Sequence, residues 1–242
     1  MKLLILGDSH TAALKRGVDQ LEANGALDPS LSLSVYPLGT GARLSKPFWQ
    51  PAAGYAAITD NKYSKKLDRV PPKGETCDAV GLSMPLWYAR VMRAMLEQGL
   101  CLPGTGQGQV ISNAVFRQMV LADQEHILGF IDHLLSVGLP VFAIETPGVF
   151  RDNRFIGRMG AQAVLAVHQT YTMIMRRELA KRGVAIVDVP PESRDDEGFT
   201  RLEHRHEDPT DAHHGNIGFG VMMIYGIEVW ARDFAASKAL RA

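Results

Sequence analysis

Five short runs of Val, Ile and Leu recur along the chain, at residues 2–6, 31–36, 79–83, 140–144 and 184–189, each closed by turn formers. Apolar runs of that length are the pattern of strands covered on both faces. Between them, apolar residues at three- and four-residue spacing predict helices over 11–23, 119–135, 160–182 and 217–234. In the second of these, Leu121, Ile127, Leu128, Ile131, Leu134 and Leu135 form one apolar face. Gly25, Gly138 and Gly183 stand where left-handed helix caps are wanted. Strand and helix alternate throughout, which predicts an α/β protein: a three-layer α/β/α sandwich on a central parallel sheet of about five strands, forming one domain over residues 1–242.

Three segments break the alternation, at 39–73, 99–109 and 190–213. Connections of that length in a compact domain are more often lids or binding loops than spacers. The glycine-rich piece at 103–109 lacks the Lys-Ser/Thr ending of a phosphate-cradling loop and does not directly follow a strand, so it reads as a flexible turn.

Composition narrows the partners. With 46% hydrophobic positions among 242 residues the chain can bury a substantial core. Its 26 Lys and Arg balance 26 Asp and Glu, so no bulk field favours nucleic acid or anionic lipid. The two cysteines, Cys77 and Cys101, are expected as reduced thiols. The apolar run from Leu3 stops at Gly7-Asp8, short of the about 7–15 residues of a secretory signal. No stretch approaches the roughly 18 apolar residues of a membrane span. A chain starting at Met1 is therefore expected to be cytoplasmic.

The chemistry lies at the two ends. The first strand runs through Gly7-Asp8-Ser9-His10-Thr11 into a helix. A serine there faces the crevice at the carboxyl edge of an α/β sheet, beside free N–H groups and the positive end of the helix dipole. The competing role for Ser9 is a helix N-cap. Asp211-Ala212-His213-His214 follows a polar loop and precedes the last helix, so it is expected at the same edge. A serine hydroxyl needs a base to become a nucleophile, and that base works best when a carboxylate fixes its tautomer. Asp211 and His214 supply such a pair, with His213 as the competing base.

Gly7-Asp8-Ser9-His10 beside an amino-terminal strand, with Asp211-x-x-His214 near the carboxyl terminus, resembles the GDSL or SGNH hydrolase superfamily. The resemblance implies a flavodoxin-like sandwich, chemistry on acyl esters without metal or organic cofactor, and Ser9, Asp211 and His214 as the catalytic triad. His214-Gly215-Asn216 looks like members that handle O-acyl groups on carbohydrates. It further implies an oxyanion hole made of the Ser9 N–H, a glycine after the second strand, and an asparagine after the third. Gly39 or Gly41 fits the glycine, Gly41 better. The third strand ends in Gly81-Leu82-Ser83-Met84 with no Gly-x-Asn, leaving Ser83 or the more distant Asn113 for the last donor. That gap keeps a non-catalytic binding module on the same fold open beside an esterase or an O-acyltransferase acting on a glycan.

Other residues enter by position. Trp49 and Trp87 fall near strand ends, where aromatic rings line acyl or sugar pockets. Glu145 follows the fourth strand, another crevice position for a substrate contact. His10, as the next residue entering a helix, is expected to point away from Ser9. The dense run Glu203-His204-Arg205-His206-Glu207-Asp208 alternates in sign as a solvated loop does, and no metal site is expected there.

Overall fold

The first apolar run becomes a strand whose two faces are both covered. Leu3 and Ile5 point into one core and Leu4 and Leu6 into another, all four nearly free of solvent. This period-two split across a doubly buried strand explains why the sequence reads as an unbroken apolar run. The computed structural model describes residues 1–240. In chain order the elements are β1 (Lys2–Gly7), α1 (Thr11–Ala23), β2 (Ser32–Pro37), β3 (Trp49–Ala52), β4 (Tyr55–Ile58), β5 (Arg69–Val70), β6 (Ala79–Leu82), α2 (Ala89–Glu97), β7 (Leu100–Cys101), β8 (Gln109–Val110), α3 (Asn113–Ser136), β9 (Val141–Ile144), α4 (Ile156–Met159), α5 (Ala161–Lys181), β10 (Ala185–Val187) and α6 (Ile217–Ala239).

Five of these strands, those expected from the apolar runs, make a wholly parallel sheet in the order β10-β9-β6-β1-β2. The chain steps from β1 outward to β2, then crosses back to β6 on the other side. The carboxyl end of β1 therefore borders the switch point where open α/β sheets bind ligands. Helices α1 and α6 cover the Leu3 and Ile5 face, while α2, α3 and α5 cover the other. The result is the three-layer, flavodoxin-like sandwich.

The sequence pattern missed α2, and α3 begins at Asn113 rather than 119 because the Ser112 side chain caps it by accepting the Val115 N–H. The long connection at 39–73 is not irregular throughout: it carries the small antiparallel sheet β3-β4-β5. The glycine-rich turn near 99–109 is likewise pinned at its ends by the β7-β8 pair. Cys77 and Cys101 are free thiols. No helix among the described residues is long and apolar enough to cross a membrane.

One helix contact bears directly on the site. A Cβ placed on Gly220 of α6 would meet the Ala13 carbonyl oxygen of α1 at 1.9 Å, and one on Gly17 would meet the Gly220 carbonyl carbon at 2.5 Å. Only glycine at both positions lets the two backbones approach this closely. Because α1 starts just after Ser9 and α6 just after His214, their close packing brings the two end motifs together.

Candidate active site

The turn after β1 frees the Ser9 hydroxyl. No side chain caps α1: the Asp8 carbonyl accepts the Thr11 N–H and hydroxyl, and the Ser9 carbonyl accepts the Ala12 N–H. The donors that an N-cap serine side chain would have taken are thus met by the backbone, while Asp8 Oδ1 accepts the His10 N–H at 3.0 Å in a side-chain turn. Gly7 is required beneath it, since a Cβ there would lie 2.1 Å from Ser83 Oγ. Ser9 is left exposed, with its side chain turned to the incoming loop.

That loop is tied down from several sides. The His206 N–H donates to the His214 carbonyl, and the Asn216 N–H to that of His204. Arg16 on α1 donates to the Gly215 carbonyl and pairs with Glu207. Asn216 caps α6 by accepting the Phe219 N–H. So held, His214 Nδ1 lies 2.7 Å from Asp211 Oδ2, and its Nε2 lies 2.8 Å from Ser9 Oγ. With Nδ1–H donating to the carboxylate, Nε2 is the nitrogen free to accept from the serine. Partial burial works to raise the Asp211 carboxyl, but the hydrogen bonds from the ring and backbone of His214 outweigh it and hold the group at about 2.

His213 lies on the other carboxylate oxygen, Nδ1 to Oδ1 at 3.1 Å, with its ring toward Trp87. Burial, then the charge of His214, brings it down to about 4. Asp211, His213 and His214 offer ligand atoms within 4.8 Å of one another, the only such trio among the described residues. The Asp211 and His214 atoms facing each other, and the His214 nitrogen facing Ser9, are already engaged in the hydrogen-bond chain.

His10 does not point away, as the sequence suggested. Its buried ring lies between Trp87, at 4.2 Å, and His214, at 4.8 Å, and neither ring nitrogen has a partner. Burial, then the charges of His214 and His213, keeps it well below the usual histidine range, so it is neutral packing behind His214. Asp8 is equally enclosed; burial pushes its carboxyl up to about 6, and its Oδ2 has no hydrogen-bond partner.

Beside Ser9 opens a cleft of about 260 Å³ whose lining includes Gly41, Trp87, Arg90, Asn153, Phe155 and His213. Arg90 grips Asp123 through two nitrogens, at 2.7 and 2.8 Å, and donates to the Gly41 carbonyl at 2.7 Å, which fixes that peptide at the rim. Neither the Ser9 nor the Gly41 N–H has an acceptor among the described residues. Asn153 is buried; its side-chain Oδ1 accepts the Phe155 N–H, while its side-chain Nδ2 has only a 3.4 Å contact to the Tyr88 hydroxyl.

Several expected residues lie elsewhere. Gly39 packs against Leu44 and does not line the cleft. The Ser83 N–H is spent in the ladder on the Leu6 carbonyl, and its hydroxyl is sealed beneath Gly7. Asn113 is an exposed first-turn residue of α3. Trp49 donates to the His126 carbonyl and stacks on His133, away from the cleft. Glu145 is buried under Arg194, Arg176 and the Val189 N–H, bracing a neighbouring loop. Asn153 was missed because its only sequence signal, a position beyond the fourth core strand, is shared by Glu145 and the residues around it.

No protein-family model matches the chain, and no curated protein matches it. Solved structures do. They include a candidate acylhydrolase from Bacteroides fragilis, 9% identical with a TM-score of 0.51 over 96% of this chain and 87% of that one. A candidate GDSL-like lipase from Parabacteroides merdae is 10% identical with a TM-score of 0.52 over 93% and 92%. A protein from Lactobacillus plantarum is 14% identical with a TM-score of 0.52 over 96% of each chain. The likeness establishes the fold alone: the chain has the α/β/α sandwich of these structures.

Proposed function

We propose that the protein is a serine-dependent hydrolase of O-acyl esters, borne by a carbohydrate or another small alcohol. The observation that carries this reading is the unbroken line Ser9 Oγ, His214 Nε2, His214 Nδ1, Asp211 Oδ2, with links of 2.8 and 2.7 Å at the mouth of a cleft. The acylhydrolase and GDSL-like lipase among the fold neighbours point the same way.

In this reading Ser9 Oγ attacks the ester carbonyl carbon while His214 Nε2 takes its proton. Asp211, ionised across the working range, holds the ring and offsets the imidazolium charge. The oxyanion is received by the Ser9 and Gly41 N–H groups, whose donors are unspent, and by the Asn153 amide in place of the family's missing third-strand asparagine. His214 then returns the proton to the departing alcohol. A water molecule, activated by the same nitrogen, releases the acid from Ser9.

The test uses a fluorophosphonate probe and a short-chain 4-nitrophenyl ester. The native protein is expected to be labelled at Ser9 and to hydrolyse the ester, and Ser9→Ala to lose both. Hydrolysis undiminished in Ser9→Ala would reject the serine mechanism. An unlabelled and inactive native protein would favour a binding module.

A further inference from the structure

The cleft beside Ser9 does not end at its catalytic wall. Arg93 on α2, Arg154 in the loop after β9, and Phe155 line both this cleft and an adjoining cavity of about 480 Å³, where Arg158 on α4 joins them. Elsewhere the arginines are mostly matched: Arg16, Arg43, Arg90, Arg117, Arg151, Arg176, Arg182, Arg194 and Arg205 each pair with a carboxylate. Among the described residues, Arg93, Arg154 and Arg158 have no carboxylate within 4.0 Å. Glu97, the one acidic residue on the cavity wall, is not paired with any of them.

The three guanidinium groups are exposed to solvent, which screens their mutual repulsion, and no carboxylate among the described residues occupies their donors, so an entering anion meets them free. Their planar forks match carboxylate and phosphate oxygens two at a time. The cluster also reaches the chemistry: Arg154 is near enough to His213 for its charge to contribute to keeping that ring unprotonated.

We propose that this arginine-walled annex binds an anionic group of the substrate, so that the ester presented to Ser9 carries a carboxylate or a phosphate held by Arg93 and Arg154, with Arg158 behind them. This rests on the ester-hydrolase reading of the same cleft and narrows its substrate class.

Two arms separate the sources of the anion. For a carboxylate on the acyl chain, kcat/KM is compared between the mono-4-nitrophenyl ester of glutaric acid and neutral 4-nitrophenyl butyrate. For a phosphate, inorganic phosphate is tested as a competitive inhibitor of butyrate ester hydrolysis. The native protein is expected to prefer the glutarate ester or to be inhibited by phosphate. The R93Q/R154Q double variant should lose that preference or inhibition by about tenfold or more, as expected for lost charge-assisted hydrogen bonds. Arg177→Gln, an unpaired arginine on another wall, should leave both unchanged. In a protein that hydrolyses the esters, neither preference nor inhibition, or either one undiminished in R93Q/R154Q, overturns the proposal.

Binding is read separately in Ser9→Ala. Glutarate or inorganic phosphate should raise its melting temperature, and Arg93→Gln with Arg154→Gln in that background should abolish the rise. Anion binding without any ester turnover would sink the hydrolase reading and leave the annex standing. Turnover with no anion effect would do the reverse.

Discussion

The two sides of the cleft are built to opposite rules. On the Ser9 side, proposed above to carry the nucleophile, every polar atom of Ser9, His214 and Asp211 that faces a neighbour in the line is engaged, and the loop bearing the histidine is fastened by Arg16, Asn216 and the His206 N–H. On the opposite side the Ser9 and Gly41 N–H groups are unspent, and the Asn153 amide has only a long contact. A base must be oriented before reaction, whereas an oxyanion hole must hold its donors in place and leave them free for a charge that does not yet exist. The rigid parts behind the free donors are the Arg90 grip on Gly41 and the Phe155 N–H bonded to Asn153.

The sharpest break of this contrast is in the choice of base. His214→Ala should lower kcat/KM by about 10⁴-fold or more, while His213→Ala, which removes a ring facing Trp87, should cost far less. Steady-state hydrolysis of a short-chain ester by both variants reads this directly, and equal losses would move the base assignment to the pair. On the other side, Asn153→Ala should reduce kcat by about 100- to 1,000-fold with KM little changed, the usual cost of one oxyanion donor. A change confined to KM would make Asn153 a substrate contact only.

Asp8 lies between the two sides, its Oδ1 on the nucleophile turn and its Oδ2 3.7 Å from where a Gly41 Cβ would stand. Its carboxyl, raised by burial to about 6, favours the folded state fully below the unfolded value of 3.8, and that contribution is lost as pH rises through about 6. Asp8→Asn cannot ionise. Its stability relative to the native protein should therefore increase by about 3 kcal/mol between pH 3.5 and pH 7.5, measured by urea unfolding. A constant difference across that range would mean the carboxyl is not enclosed as described.

What was legible follows from how local each signal is. The β1-turn-α1 motif and the Asp211-x-x-His214 turn each lie within a few residues, so residue type and spacing expose them. The residues expected for a third oxyanion donor are not at the cleft: Ser83 is spent on the sheet and sealed under Gly7, and Asn113 is turned outward at a helix start. The amide proposed for that role is that of Asn153, beyond a different strand. The same holds for Trp49 and Glu145, which stand at strand ends in sequence yet pack against α3 and against Arg176 of α5 and Arg194 of the loop after β10.

The sequence by itself determined the layers, because strands buried on both faces and amphipathic helices carry their burial in their periodicity. It also determined which residues had the chemistry for a nucleophile, a base and an orienting acid. Only the tertiary structure decided which histidine faces Ser9, which glycine rims the cleft, and where three unmatched arginines gather. Those outcomes depend on how α6 seats against α1 through Gly17 and Gly220 and on where the loop after β9 returns, and contacts between residues far apart in the chain leave no periodic trace in it.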